Sequence, residues 1–182
     1  MGPVAPALFV VVDGPPASGK STLAPRLAEA LGLPLVAKDT IKDAFMAVLP
    51  PADIEASRQI GRAAVAALLA VAAESPVGAV LESNFYRSVA AGELGSLPGV
   101  VVEVFCRCSE QTARERYRRR AGTRHAGHFD TRRADDELWN DEICEPVAGG
   151  WPVIEVDTNG PIDIEAVVAA IAGAVPGGRS PG

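Results

Sequence analysis

The chain has 182 residues, 48% of them apolar, with 17 basic and 23 acidic side chains and a formal charge of −6. That length and apolar share bury one core well, whereas two domains would each be small and marginal. The acidic balance excludes a general nucleic-acid surface, which needs a net basic face.

The apolar run from Ala7 to Val12 reads as a buried strand rather than a leader or membrane span, because Asp13 and a glycine loop interrupt it. Behind it stands Gly14-Pro15-Pro16-Ala17-Ser18-Gly19-Lys20-Ser21, the pattern G-x-x-x-x-G-K-S, and helical periodicity begins at Thr22. A strand that turns through glycines into a helix N-terminus is the setting a phosphate cradle requires. The plain alternative is a glycine-rich turn, but the four fixed positions arise by accident in roughly one chain in a hundred of this length. The backbone N–H groups of Ala17, Ser18, Gly19, Lys20, Ser21 and Thr22 precede the first intrahelical bonds, so they are expected to converge on phosphate oxygens. Gly14 and Gly19 admit backbone angles and a close approach that a Cβ blocks. Lys20 is expected to reach the β- and γ-phosphates, and the Ser21 hydroxyl to coordinate Mg²⁺.

Further apolar runs near residues 34–37, 77–82, 100–105 and 152–156 alternate with helical stretches. This is the pattern of an α/β fold of three layers, a five-stranded parallel sheet with helices on both faces. The helices are expected from the cradle to Leu31, from after Asp39 to before Pro50, from Asp53 to Glu74, and near 87–95, 109–120, 132–145 and 162–174. The alanine-rich third helix is expected to be largely buried. One domain is expected over residues 1–175, with a lid at about 121–131 and a frayed tail at 176–182. Cys106, Cys108 and Cys144 are too few and oddly counted for a disulfide framework, which fits a reducing cytoplasm.

Ligands of such sheets collect beyond the carboxyl ends of the strands. After the second strand, Asp39 is placed either to accept a proton from an attacking substrate hydroxyl or to cap the helix that follows. After the third, Glu82 is a candidate to hold Mg²⁺, with Ser83 and Asn84 as neutral hydrogen-bonding neighbours or loop caps. From Ser109, a helix with Ala113 and Tyr117 inward clusters Arg116, Arg119 and Arg120, and the polar, glycine-containing stretch with Arg124 that follows has the composition of a lid. Most of these arginines are expected in solvent, but one or two of Arg116, Arg120 and Arg124 are expected to face the transferring phosphoryl group. His125 and His128 lack a third ligand nearby, which argues against a metal there. The stretch from Asp157 to Gly160 reads as a turn that also borders an adenine pocket. No Asn-Lys-x-Asp guanine reader and no strand ending in paired Asp-Glu occur, against a GTPase and a motor ATPase.

Taken together these residues resemble the small P-loop kinases that phosphorylate a hydroxyl on a metabolite, drug or sugar nucleotide, the group of chloramphenicol phosphotransferase, zeta toxins and gluconate kinase. The resemblance implies ATP and Mg²⁺ as cofactors, a small-molecule acceptor, no nucleic-acid or membrane partner, and a catalytic base at Asp39. It also implies lid arginines among Arg116, Arg119, Arg120 and Arg124. Gluconate kinase is similar again at Gly127-His128-Phe129 and in the last strand, Val153 to Asp157. Its Cys-Ser-Ala-Leu-Lys segment is replaced here by Glu82-Ser83-Asn84-Phe85-Tyr86. The expectation is therefore a phosphotransferase with an unassigned acceptor and oligomeric state. A non-catalytic ATP-binding module and a zeta-type toxin are the alternatives.

Overall fold

The structure is a computed structural model and describes residues 6–121, 126–129 and 138–175. Five strands, β1 Leu8–Asp13, β2 Leu35–Ala37, β3 Gly78–Glu82, β4 Val100–Arg107 and β5 Val153–Asp157, form one parallel sheet in the order β2-β3-β1-β4-β5. Among the described residues the helices are α1 Lys20–Leu31, α2 Lys38–Val48, α3 Ile54–Ala73, α4 Arg87–Gly95, α5 Glu110–Ala121, α6 Asp141–Cys144 and α7 Ile164–Ala174, with a 3-10 turn at Ala126–His128.

β1 takes the centre because its residues from Phe9 to Val12 are apolar without alternation, as a strand covered on both faces needs to be. Its side chains divide between two cores. Val10 and Val12 pack with Leu23 and Leu27 of α1 and Val167 and Ile171 of α7. Phe9 and Val11 pack with Leu68 of α3 and Leu94 of α4. The fold is thus the three-layer α/β sandwich that the alternating pattern predicts. Val12 stands in register with Glu82 of β3, and Asp13 with Phe105 of β4, so the loops after these strands open onto one crevice.

Three expectations need correction. The chain passes from β2 into α2 without a loop, and Ala37 is the N-cap, with no side-chain cap bond. Asp39 therefore sits inside the first helical turn and is not a cap. α3 buries a single stripe, Ser57, Ala64, Leu68 and Ala72, and is not enclosed. Its many alanines favour the helix rather than the core. The helix expected over 132–145 does not run through Asn140, whose extended backbone caps the short α6 by accepting from the Glu142 N–H at 3.0 Å.

Glu103 is buried in the middle of β4 among valines. Its carboxylate accepts from the Val147 N–H (2.7 Å), the Ala148 N–H (2.9 Å) and Trp151 Nε1 (2.9 Å), tying the segment before β5 to the sheet.

Candidate functional site

The turn after β1 is closely built. Gly14 adopts φ +138°, and a Cβ there would stand 2.6 Å from the Cys106 carbonyl oxygen and 2.8 Å from Ser18 Oγ. Gly19 adopts φ +97°, with Thr158 Cβ 3.2 Å from where its own Cβ would lie. Both positions combine the left-handed half of backbone space with a crowded neighbour, which leaves glycine as the residue that fits. Ala17, at φ +61°, holds a left-handed conformation that costs a residue with a Cβ some strain. Thr158 Oγ1 donates to the Ser18 carbonyl at 2.6 Å, so the end of β5 braces the outer turn.

The amides of this turn are not all available, contrary to the expectation for Ala17 to Thr22. Ser18 N–H bonds the Pro15 carbonyl at 3.2 Å, and Thr22 N–H bonds the Gly19 carbonyl at 3.0 Å. The N–H groups of Ala17, Gly19, Lys20 and Ser21 have no backbone acceptor among the described residues. Four donors at a helix N-terminus form an anion cradle. Lys20 folds back over it, its Nζ donating to the carbonyls of Gly14 (2.7 Å) and Pro15 (2.8 Å). Burial holds the Lys20 ammonium below its usual range, while Glu82 and Asp13 pull it back up.

Ser21 Oγ donates to Glu82 Oε1 at 3.3 Å. Cis ligands of an octahedral Mg²⁺ at about 2.0–2.1 Å stand roughly 2.9 Å apart, so this hydroxyl and carboxylate fit the ion with a small adjustment. Burial raises the Glu82 pKa, and Lys20 opposes the rise. No cluster of three or more His, Cys, Asp or Glu suited to a metal occurs among the described residues. Such a pair matches the way Mg²⁺ is usually shared with substrate phosphates.

The cleft in front of the loop has a volume of about 470 Å³. It is lined by Lys20 and Ser21, by Lys38, Asp39 and Lys42 of α2, by Glu82 at the end of β3 and Asn84 beyond it, and by Arg116 and Arg120 of α5. Asp39 lies 3.4 Å from Lys38 Nζ. Arg116 donates to the Thr158 carbonyl at 2.8 Å, and the Arg120 guanidinium lies 5.6 Å from the Tyr117 ring centre. Arg119 is exposed and away from the cleft lining. Arg124 and His125 lie outside the described residues, as does most of the expected lid. His128 instead contacts Asp43, Nε2 to Oδ1 at 2.7 Å. The Asp157 carboxylate accepts from the Asn159 N–H at 2.8 Å, which makes the turn expected there, and Gly160 borders the cleft.

Two groups at the site escape sequence reasoning. Lys42 is buried, and its Nζ donates to Ser57 Oγ at 2.8 Å, which in turn donates to the Gly127 carbonyl at 2.6 Å. Helical spacing four residues from Lys38 was the available signal. Asp13, fully buried, accepts through Oδ1 from the Gly14 N–H (2.6 Å) and the Phe85 N–H (2.9 Å), joining the cradle to the loop after β3. Burial pushes its carboxyl up to about 7, against the pull of those two N–H groups and of Lys20. Its signal was a carboxylate closing an apolar strand directly before the first glycine.

The sequence matches the AAA domain family over residues 9–142. Among solved structures, it is similar to a protein from Chloroflexus aurantiacus provisionally described as a kinase, at 31% identity and a TM-score of 0.81, covering 94% of this chain and 100% of that one. A gluconokinase from Sinorhizobium meliloti follows at 23% identity and TM-score 0.59, covering 92% and 91%. A shikimate kinase from Acinetobacter baumannii shares 18% identity and TM-score 0.62, covering 93% and 94%. The last two are evidence for the fold alone. A search of curated proteins finds no match.

Proposed function

The chain belongs to the AAA domain family and is a small P-loop kinase in its fold, and from that premise we propose that it moves the γ-phosphate of ATP to a hydroxyl of a small molecule. The observation that carries the reading is the convergence of Lys20, the Ser21–Glu82 pair and Asp39 on one cleft. The amides of Ala17, Gly19, Lys20 and Ser21 receive phosphate oxygens, and Lys20 exchanges the carbonyls of Gly14 and Pro15 for the β- and γ-phosphates. Ser21 and Glu82 would hold Mg²⁺, which neutralises charge on the phosphates when bound. Asp39 accepts the proton of the acceptor hydroxyl as its oxygen attacks the γ-phosphorus, the bond to the β–γ bridging oxygen breaks, and ADP leaves. Arg116 and Arg120, with Arg124 of the expected lid, offset charge on the transferring group.

The acceptor is a small molecule and not nucleic acid, given the polar, mixed-charge cleft and the acidic chain. No helix among the described residues is long and apolar enough to cross a membrane. The three cysteines are unpaired, which supports placing the protein in the cytoplasm. ADP release against a panel of sugars, nucleosides and amino-sugars, read beside a water-only background, tests the reading. Acceptor-dependent release is expected, and its absence across the panel with ATP still bound supports a binding module instead. Asp39→Asn should leave ATP affinity unchanged and lower kcat by about 10²–10⁴-fold. Full turnover in that variant would remove Asp39 from the mechanism.

A further inference from the structure

We propose that Asn84 reads the acceptor, its carboxamide hydrogen-bonding a polar group beside the reacting hydroxyl, and that Asp13 is the positioning residue that holds it there through the Phe85 N–H. The proposal rests on the phosphotransferase reading and adds to it a residue for acceptor recognition. By that reading the acceptor lies between the cradle, which follows β1, and Asp39, which stands in the first turn of α2 directly after β2. In the sheet order β2-β3-β1, the strand between those two is β3. An acceptor in line for transfer therefore passes over the carboxyl end of β3, where Glu82 closes the strand and Asn84 lines the cleft. Glu82 faces Ser21 and Lys20 on the phosphate side and Ser83 is buried, so Asn84 is the side chain at this end that meets the acceptor.

The Asn84 carboxamide is uncommitted. Half-buried at the cleft wall, it makes no hydrogen bond among the described residues. Capping the next helix, the usual local use of an asparagine in such a loop, is not its role. The N-cap of α4 is Tyr86, without a side-chain cap bond, and the Ser88 N–H in the first turn goes to Glu142 Oε2 at 2.9 Å. A carboxamide offers a carbonyl acceptor and N–H donors in one plane, so it pairs with a hydroxyl in either sense and brings no charge between Lys20 and the carboxylates. A site built to hydrogen-bond a substrate group also discriminates strongly against analogues that lack it.

The neighbouring backbone fixes where that carboxamide points. Ser83 and Phe85, on either side of it, are each 2% exposed, and Phe85 packs in the core with Leu68 and Leu94. The Ser83 N–H bonds the Val12 carbonyl at 3.4 Å, and the Phe85 N–H bonds Asp13 Oδ1 at 2.9 Å. The same Oδ1 accepts from the Gly14 N–H at 2.6 Å. One oxygen thus sets the spacing between the turn that grips the donor and the side chain that meets the acceptor. Transfer rewards such spacing, because small misplacements of the reacting groups cost rate steeply.

The probe is whichever of the panel's sugars, nucleosides and amino-sugars, D-ribose, uridine and D-glucosamine among them, gives the largest acceptor-dependent ADP release with the wild-type full chain. Asn84→Ala should raise its KM by about tenfold, as loss of one hydrogen bond does, and leave the KM for ATP unchanged. An unchanged acceptor KM overturns the proposal. Asparagine occurs at positions 84, 140 and 159, so NMR of a sample isotope-labelled at asparagine nitrogen follows the Asn84 carboxamide directly, its signal assigned by its loss in Asn84→Ala. With magnesium and a non-hydrolysable ATP analogue bound, the probe should shift that signal and leave those of Asn140 and Asn159 in place. An Asn84 signal unmoved at saturating probe also overturns the proposal.

For Asp13 the readout is its coupling to Asn84. Asp13→Ala should raise the acceptor KM by about tenfold in the otherwise wild-type chain and by less than about twofold in the Asn84→Ala background. Equal rises in both backgrounds refute the positioning role. Asp13→Asn, which keeps an Oδ1 acceptor, should recover most of the acceptor affinity, and a loss as large as that of alanine counts against the role. Should Asp13→Ala not fold, Asp13→Ser, with a shorter reach toward the Phe85 N–H, takes its place in the same cycle. Failure of the whole panel to stimulate ADP release, with the analogue still bound, defeats the phosphotransferase reading itself, whereas an active acceptor indifferent to Asn84 defeats this proposal alone.

Discussion

Asp13 predicts an unusual dependence of stability on pH. Its carboxyl is pushed from 3.8 to about 7 by burial, and at 1.36 kcal/mol per unit that difference amounts to roughly 4 kcal/mol. The folded protein holds this proton to higher pH than the unfolded chain does, so the stabilisation is complete below 3.8 and is lost as pH rises through about 7. Between pH 5 and pH 7 the group alone should remove roughly 2 kcal/mol. Asp13→Asn keeps an Oδ1 acceptor for the N–H groups of Gly14 and Phe85 but does not titrate. Its amide nitrogen would take the place of Oδ2, which is buried without a hydrogen-bond partner, at a pH-independent cost of about 1–3 kcal/mol. Urea unfolding of both proteins at a series of pH values separates the two effects, because other titrations are shared and cancel in the difference. Wild type should lose ground to the variant by roughly 2 kcal/mol from pH 5 to pH 7. Parallel stability curves would refute the assignment of a proton to Asp13 in the folded state.

Gly14→Ala places a methyl group 2.6 Å from the Cys106 carbonyl oxygen, and should cost roughly 2–3 kcal/mol in denaturant unfolding and abolish ATP binding by calorimetry. Glu82→Gln should raise the Mg²⁺ concentration needed for half-maximal ADP release by about tenfold, measured by magnesium titration at saturating ATP. Glu103→Ala leaves the N–H groups of Val147, Ala148 and Trp151 without their acceptor. A loss of roughly 3–5 kcal/mol is expected, with a red shift of tryptophan emission as Trp151 loosens.

What the sequence made legible was whatever depends on neighbours in the chain. Uniform apolar runs marked the strands, and the spacing from Gly14 to Ser21 marked the cradle, because both signals are complete within a few residues. Groups whose meaning depends on distant partners were not legible. Asp13 acquires its role from Phe85, 72 residues away, and Glu103 from Val147, 44 residues away. Asp13 read locally as a polar interruption of an apolar run, and Glu103 gave no local signal of its role. Lys42 is defined by Ser57 and Gly127, which belong to other elements. The opposite error occurred at α3, where alanine counted as apolar although its preference for helix does not require burial. At α2, the usual sense of an aspartate near a helix start suggested a cap, but the strand runs into the helix without the extra residue a cap would occupy.

The two carboxyl groups nearest Lys20 divide the electrostatic work of the loop. If Asp13 and Glu82 were both ionised, a single ammonium would face two negative charges, and the cradle would repel the triphosphate it has to receive. Burial raises the pKa of each, but their surroundings differ in what they offer the charged form. Asp13 has one oxygen on two N–H groups and the other buried without a partner, with the Glu103 charge behind it. It can remain protonated near neutrality and still accept both bonds, holding the start of the turn against the loop after β3 without adding charge. Glu82 has Lys20 as its chief opposing influence and the Ser21 hydroxyl as a partner, and a divalent cation at that pair would favour its ionised form further. One carboxyl thus fixes the geometry of the cradle through the N–H groups of Gly14 and Phe85, while the other stands beside the Ser21 hydroxyl, where it would face a divalent cation.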